Sequence, residues 1–300
     1  MIKKTIYIGS PAYLRTEKQQ LLIQYAEENK ADIRRAIEDI GVLILDHYQI
    51  TISHTLISRL LTNNAAIITT DEKHMPQGLM LNLEGNQVQH ERFMYQIKAS
   101  QPLKKNLWQQ TIKAKIDNQA VLLAKQGIPI DKMKLWSSKV RVGDPDNFEG
   151  RAAAYYWRNL FEKDIDRFTR GRYDAEPNNL LNYGYAILRA TVARSLVASG
   201  MLPTLGIHHR NKYNAYCLAD DIMEPYRPYV DEIVLDIMEE FDDWSILNKE
   251  IKAELLAIPA IDITIDGKGS PLMVGLRRTT ASLFRCYEGT ARKILYPALE

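Results

Sequence analysis

The period of the hydrophobic positions changes once along this chain, near residue 88. Before that point apolar residues alternate with polar ones or run in short blocks, which is the signature of strands. The pattern predicts strands over 5–8, 21–25 and 50–52, and a fully buried one over 40–45, where Ile-Gly-Val-Leu-Ile-Leu runs without a polar break. Ser53 then stands as the N-cap of a short helix through Leu61, because its hydroxyl can accept an N–H that the first turn leaves without a partner. Further strands are expected over 65–70 and 79–83, after which Glu84-Gly-Asn leaves the sheet. The segment from Met1 to Gly9 carries charge but no long apolar core or small-residue cleavage site, so it reads as a first strand and not a signal peptide.

After residue 88 the period becomes helical. Helices are expected over 91–97 and over 104–125, where Leu107, Trp108, Ile112, Ile116, Ala120 and Leu123 recur at three- and four-residue spacing. Gly127-Ile-Pro breaks that run, and further helices are expected over 131–140 and 151–161. The most apolar helix spans 179–199 and stops at Gly200, which tolerates the left-handed conformation of a helix end. A long amphipathic helix over 216–241, a shorter one over 249–257, a hairpin over 261–269 and a helix over 271–294 complete the chain. The predicted class is α+β: a small N-terminal β-rich domain over 1–88 followed by a larger all-α C-terminal domain over 89–300.

Composition adds exclusions. Hydrophobic content of 46% and charged content of 25% over 300 residues are those of an ordinary soluble protein. No apolar run approaches the ~18 residues of a membrane span. Two cysteines, Cys217 and Cys286, make neither a disulfide framework nor a zinc knuckle, so a reducing cytoplasm is the expected location. Charge is segregated: residues 98–141 hold ten Lys or Arg against two acids, and residues 220–243 hold ten acids against Arg227 alone. A basic surface for a polyanion, beside an acidic region that can hold metal or meet a basic partner, is one reading. The plainer one is a pair of solvated helix faces that pair with each other.

Three places can carry chemistry. Glu149 follows Asp144-Pro-Asp-Asn-Phe. It suits a capping box with Asp146 as N-cap, or a ligand at a helix start whose small neighbours Gly150, Ala152 and Ala153 let another group come close. His208 and His209 follow Pro203 and Gly206 on a loop, where functional residues concentrate. Asp220, Asp221 and Glu224 can turn oxygens to one side of a helix, although adjacent Asp220 and Asp221 point about 100° apart. Pro225 removes the hydrogen bond to the carbonyl of Asp221, so the helix is expected to distort just after its acids, with Arg227 placed to offset Glu224. A solvated acidic face is the bland alternative. Oxygen-rich ligation with one imidazole favours Mg²⁺ or Mn²⁺ over zinc, and such an ion beside a basic surface commonly acts on phosphate. There is no G-x-S-x-G, Walker loop or G-x-G-x-x-G to suggest other chemistry.

Taken together these stretches resemble the CRISPR-associated integrase family of spacer acquisition. The segment from Ile37 to Leu45 followed by Ile50-Thr-Ile-Ser53 is similar to that family's strand-turn-strand region, and Leu180-Leu-Asn-Tyr-Gly-Tyr185 to its central helix. Leu218-Ala-Asp-Asp-Ile-Met-Glu224-Pro-Tyr-Arg227-Pro is similar to its most recognisable signature. Asn211-Lys-Tyr-Asn214 and the histidine-to-acid spacing look most like the branch that accompanies type II systems.

The resemblance implies a catalytic metal triad of Glu149, His209 and Glu224, with Asp221 an accessory ligand and Mg²⁺ or Mn²⁺ the cofactor. It implies a DNA integrase and endonuclease that joins the 3′-hydroxyl ends of double-stranded prespacer DNA to CRISPR repeat DNA by transesterification. It further implies a homodimer formed through the β-rich domain and a small dimeric partner protein. The basic stretch and Arg151, Arg158, Arg167, Arg170 and Arg172 suit sequence-independent contacts to phosphate. A structure-specific nuclease without integration, and a non-catalytic nucleic-acid scaffold, are the competing functions.

Overall fold

Strands β1 (Lys4–Ile8), β2 (Ala12–Glu17), β3 (Gln20–Tyr25), β4 (Ile33–Ala36), β5 (Ile40–Leu45), β6 (Ile50–Ile52), β7 (Ala66–Thr70) and β8 (Pro76–Met80) form two sheets, with helix α1 (His54–Thr62) before β7. The computed structural model describes residues 3–27, 30–171 and 175–300. One sheet has the order β1-β5-β7-β8, with β1, β5 and β7 parallel and β8 antiparallel to β7. The other has the order β4-β3-β2-β6. The apolar block of β5 sits inside the first sheet, as its lack of polar positions requires. Its side chains alternate: Val42 and Ile44 join the core shared with the helices, while Leu43 joins a smaller core with Leu14, Leu21, Leu56 and Ile67. Ser53 does cap α1, accepting from Leu56 N.

Two strands escaped the sequence reading. β2 and β4 carry few large apolar residues and are held by pairing to β3. The β2–β3 turn has Lys18 at φ 46° and Gln19 at φ 64°, a two-residue hairpin without the Asn-Gly that would have announced it. The strand expected over 79–83 lies earlier, at Pro76–Met80, where Ile67 and Ile68 of β7 fix its register.

The rest of the chain is mostly helical: α2 (Gln89–Lys98), α3 (Gln101–Lys125), α4 (Asp131–Lys139), α5 (Phe148–Leu160), α6 (Asn178–Ala198), α7 (Cys217–Met223), α8 (Arg227–Glu240), α9 (Lys249–Leu256) and α10 (Leu272–Glu288), with a hairpin of β9 (Asp262–Ile265) and β10 (Lys268–Pro271) before the last. α6 is buried along most of its length and packs against α7, α8, α9 and α10. The helix expected over 271–294 is shorter. Pro271 belongs to β10, and Gly289 at φ 87° ends α10 in the left-handed conformation. The helix expected over 216–241 is divided by a 3₁₀ turn at Glu224–Tyr226, where Pro225 interrupts the hydrogen-bond ladder.

Asp46, just past β5, is 1% exposed. It accepts hydrogen bonds from Tyr7 Oη (2.6 Å), Thr70 Oγ1 (2.6 Å) and Lys252 Nζ (2.7 Å), and pairs with His74 Nδ1 at 2.8 Å. Lys252 lies on α9, so this one carboxylate fastens the ends of three strands to that helix. Both cysteines are free and buried. Among the described residues no helix is long and apolar enough to cross a membrane.

Candidate active site

Glu149 stands in the first turn of α5, and the chemistry of that turn frees its side chain. Asn147 is the N-cap and accepts from Gly150 N at 3.2 Å. Asp144 accepts from Phe148 N and Glu149 N at 3.0 and 2.9 Å. The capping box expected from Asp146 and Glu149 does not form, because Asn147 and Asp144 already satisfy those amides and Asp146 pairs with Arg141 at 2.9 Å. The Glu149 carboxylate turns instead to α3, where Lys115 Nζ donates to its Oε1 at 2.8 Å.

Lys115 also meets Glu224 Oε2 at 2.7 Å, so one buried ammonium joins two carboxylates from separate elements. The other oxygen of Glu224 accepts from Arg227 Nε at 2.8 Å, the offset expected one turn on. Burial by itself would raise the pKa of Glu224, but the charges of Arg227 and Lys115 outweigh it and bring the pKa down to about 2. The same two carboxylates outweigh the burial of Lys115 and raise its pKa. Arg227 lies over the Tyr185 ring, 4.5 Å from its centroid. The Tyr185 and Tyr156 hydroxyls both donate to buried Asp231, whose pKa burial pushes up to about 6.

The histidine loop is wrapped around Asp221. That carboxylate is fully buried and accepts from Ile207 N (2.7 Å), His208 N (2.9 Å) and His209 N (3.2 Å), and its Oδ1 lies 2.5 Å from His209 Nδ1. The hydrogen bond to Asp221 raises the pKa of His209 and assigns a proton to Nδ1, which leaves Nε2 as the ring's other functional atom. Gly206 makes the wrap possible: a Cβ there would lie 2.4 Å from the His209 carbonyl oxygen and 2.8 Å from Asp221 Oδ2. His208 stacks on buried Trp108 with ring centroids 4.1 Å apart and planes 3° apart, and burial lowers its pKa. His209 meets the edge of the same indole.

The expected residues fall into two groups, near enough for the charges of His209 and Glu224 to act on each other. Glu149 and Glu224 meet through Lys115; His209 meets Asp221. No group of three or more His, Cys, Asp or Glu side chains is close enough to hold a metal by itself among the described residues. The three acids of the signature do not share one side. Asp220 goes to Arg189 (2.6 Å) and Asn214 (2.7 Å), Asp221 to the loop and Glu224 to Lys115. Of the ten bases in 98–141, Lys115 and Lys125 pair with acids of 220–243, which leaves most of that stretch free of the mutual pairing weighed above. Arg170 is taken up by Asn178 and Asn182, and Arg172 lies outside the described residues.

Sequence reasoning passed over Lys115 and Trp108 as functional. Lys115 lies on the same face of α3 as Trp108, Thr111, Ile112 and Gln119, all buried. A lysine on an otherwise buried helical stripe was the available signal.

The family model of CRISPR associated protein Cas1 matches residues 6–242. A CRISPR-associated endonuclease Cas1 of Neisseria meningitidis serogroup C (strain 8013) is 34% identical over 284 residues, covering 94% of this chain and 91% of its own. Among solved structures, a casposase bound to integration product superposes with a TM-score of 0.78 at 18% identity, covering 98% of this chain and 92% of that one. A Cas1 protein from Thermotoga maritima gives 0.72 at 16% identity, covering 95% and 97%. With a family match over that span and a relative this similar along nearly its whole length, the chain belongs to the Cas1 family.

Proposed function

We propose that this protein is a divalent-metal-dependent DNA integrase and endonuclease that joins prespacer 3′-hydroxyl ends to CRISPR repeat DNA. The observation that carries the reading is the convergence of Glu149 Oε1 and Glu224 Oε2 on a single cation position, filled by Lys115 Nζ at 2.8 and 2.7 Å. Two carboxylates from separate elements, aimed at one positive charge and within electrostatic reach of the His209 imidazole, fit Mg²⁺ or Mn²⁺. Glu149, Glu224 and His209 are the residues that would hold it. The ion, when bound, supplies polarisation of a phosphoryl oxygen and stabilisation of the leaving alkoxide.

The chain's own residues do the rest. Arg227 keeps Glu224 ionised and fixed. Asp221, expected as an accessory ligand, has both oxygens committed to the loop and acts by orienting His209. Joining makes a phosphodiester from the incoming 3′-hydroxyl and breaks one in the repeat, releasing a new 3′-hydroxyl. No protein nucleophile is required, in keeping with the lack of a nucleophile motif.

We further read residues 1–88 as a dimerisation domain and 89–300 as the catalytic one, placed in the branch that accompanies type II systems. A small dimeric partner and double-stranded DNA complete the assembly. Solved structures of similar fold, a Cas6-RT-Cas1--Cas2 complex (TM-score 0.74, 19% identity) and a TtCas1-DNA complex (TM-score 0.60, 16% identity), support a Cas2 partner and a DNA partner.

The test is joining of labelled prespacer to supercoiled repeat DNA with Mn²⁺ and the partner protein. Glu149→Ala, His209→Ala and Glu224→Ala should each abolish joining while DNA binding stays near wild type. Joining at the wild-type rate by these variants would refute the site. Nicking without site-specific joining would favour the plain nuclease, and indifference to chelation the scaffold.

A further inference from the structure

Lys115 is the buried cation of the site, and its position has a cost that a surface lysine would not have. Its side chain is 10% exposed, against 26% for Glu149 and 6% for Glu224. Without it, two neighbouring carboxylates would repel each other in a poorly solvated place. With it, one positive charge is shared between them, Arg227 adds a second at Glu224, and both are held at hydrogen-bond distance from one point. A divalent ion taken by those same two oxygens needs the space the ammonium fills, and two cations that close together are strongly unfavourable.

We propose that Lys115 is the resident counter-cation of the candidate metal site: it holds Glu149 and Glu224 in position before the ion arrives, and it is exchanged for the ion. Lys115 is thus a positioning residue, and ion binding releases its ammonium on a flexible four-carbon stem. The proposal rests on the metal reading above. It adds that the apparent affinity of the site is set partly by a side chain that is not a ligand.

The experiment is a calorimetric titration of the full chain with Mn²⁺, comparing wild type with Lys115→Gln, which removes the charge but keeps a donor. Exchange predicts roughly tenfold tighter Mn²⁺ binding by the variant, a coupling of ordinary size, and a larger rise in melting temperature on adding Mn²⁺. A lysine that merely braces the site predicts unchanged or weaker binding, and that result overturns the proposal. If wild type shows no saturable Mn²⁺ binding, the metal reading itself fails and takes the proposal with it. Should Lys115→Gln not fold, wild type supplies the second measurement. Acylation of Lys115, read by mass spectrometry, should rise several-fold on saturation with Mn²⁺ while buried Lys252 stays unchanged; no rise at Lys115 overturns the exchange.

Discussion

Asp221 and His209 are joined by a 2.5 Å contact between Oδ1 and Nδ1, and the same carboxylate holds the backbone N–H groups of Ile207, His208 and His209. One buried acid therefore sets both the path of the loop and the direction of the ring. Asp221→Ala would strand those donors, at a cost of roughly 3 kcal/mol or more, since each unmet buried donor costs about 1–3 kcal/mol. Asp221→Asn should keep part of the loop but lose the charge. The raised pKa of His209 should then fall, and an NMR titration of the ring will show it.

Gly206→Ala puts a Cβ 2.4 Å from a backbone oxygen, where no flexible side chain can yield. The expected loss is about 1–3 kcal/mol, typical of forced overpacking. Thermal unfolding measures it, and Mn²⁺ binding should weaken alongside because the loop carries His209. An unshifted melting temperature would mean that the loop relaxes freely.

Asp231 makes stability depend on pH in a direction opposite to the usual carboxylate. Its folded pKa is raised to about 6 from the ordinary 3.8, chiefly by burial. The folded chain thus holds a proton that the unfolded chain has lost between those values, so stability falls as pH rises from about 4 to about 6. A displacement of that size corresponds to about 3 kcal/mol. Urea unfolding across this window should show the slope in wild type and a flatter profile in Asp231→Asn.

Lys252→Met removes the cation from buried Asp46 and leaves that carboxylate with neutral donors and His74. Breaking one side of a buried pair costs about 3–5 kcal/mol. The double variant Asp46→Asn, Lys252→Met should recover part of it, because no unpaired charge remains. Denaturant midpoints of the three proteins decide the matter.

Much of the helical part was legible because apolar periodicity over many residues leaves little freedom. The helix expected over 179–199 is observed at Asn178–Ala198, and the Ser53 cap is where the local chemistry put it. β2 and β4 were not legible, since their stability comes from pairing with β3 and not from their own side chains. The site shows the same division. The distortion at Pro225 follows from a single residue. The direction of the Glu149 side chain does not, because a cap and a ligand share the same local sequence. What turns it is Lys115, which lies 34 positions earlier in the chain.

Helix α7 is short, yet its signature sends three acids to three neighbours: Asp220 to Arg189 of α6, Asp221 to the histidine loop and Glu224, just past its end, to Lys115 of α3. Adding or deleting one residue inside it would turn everything downstream by about 100°. Changes of length thus have sharply unequal consequences within twenty residues. Around exposed Tyr213 the loop can lengthen with little effect. Between Leu218 and Glu224 a single insertion would disconnect the helix from several partners in one step, so this segment can evolve by substitution but not by insertion.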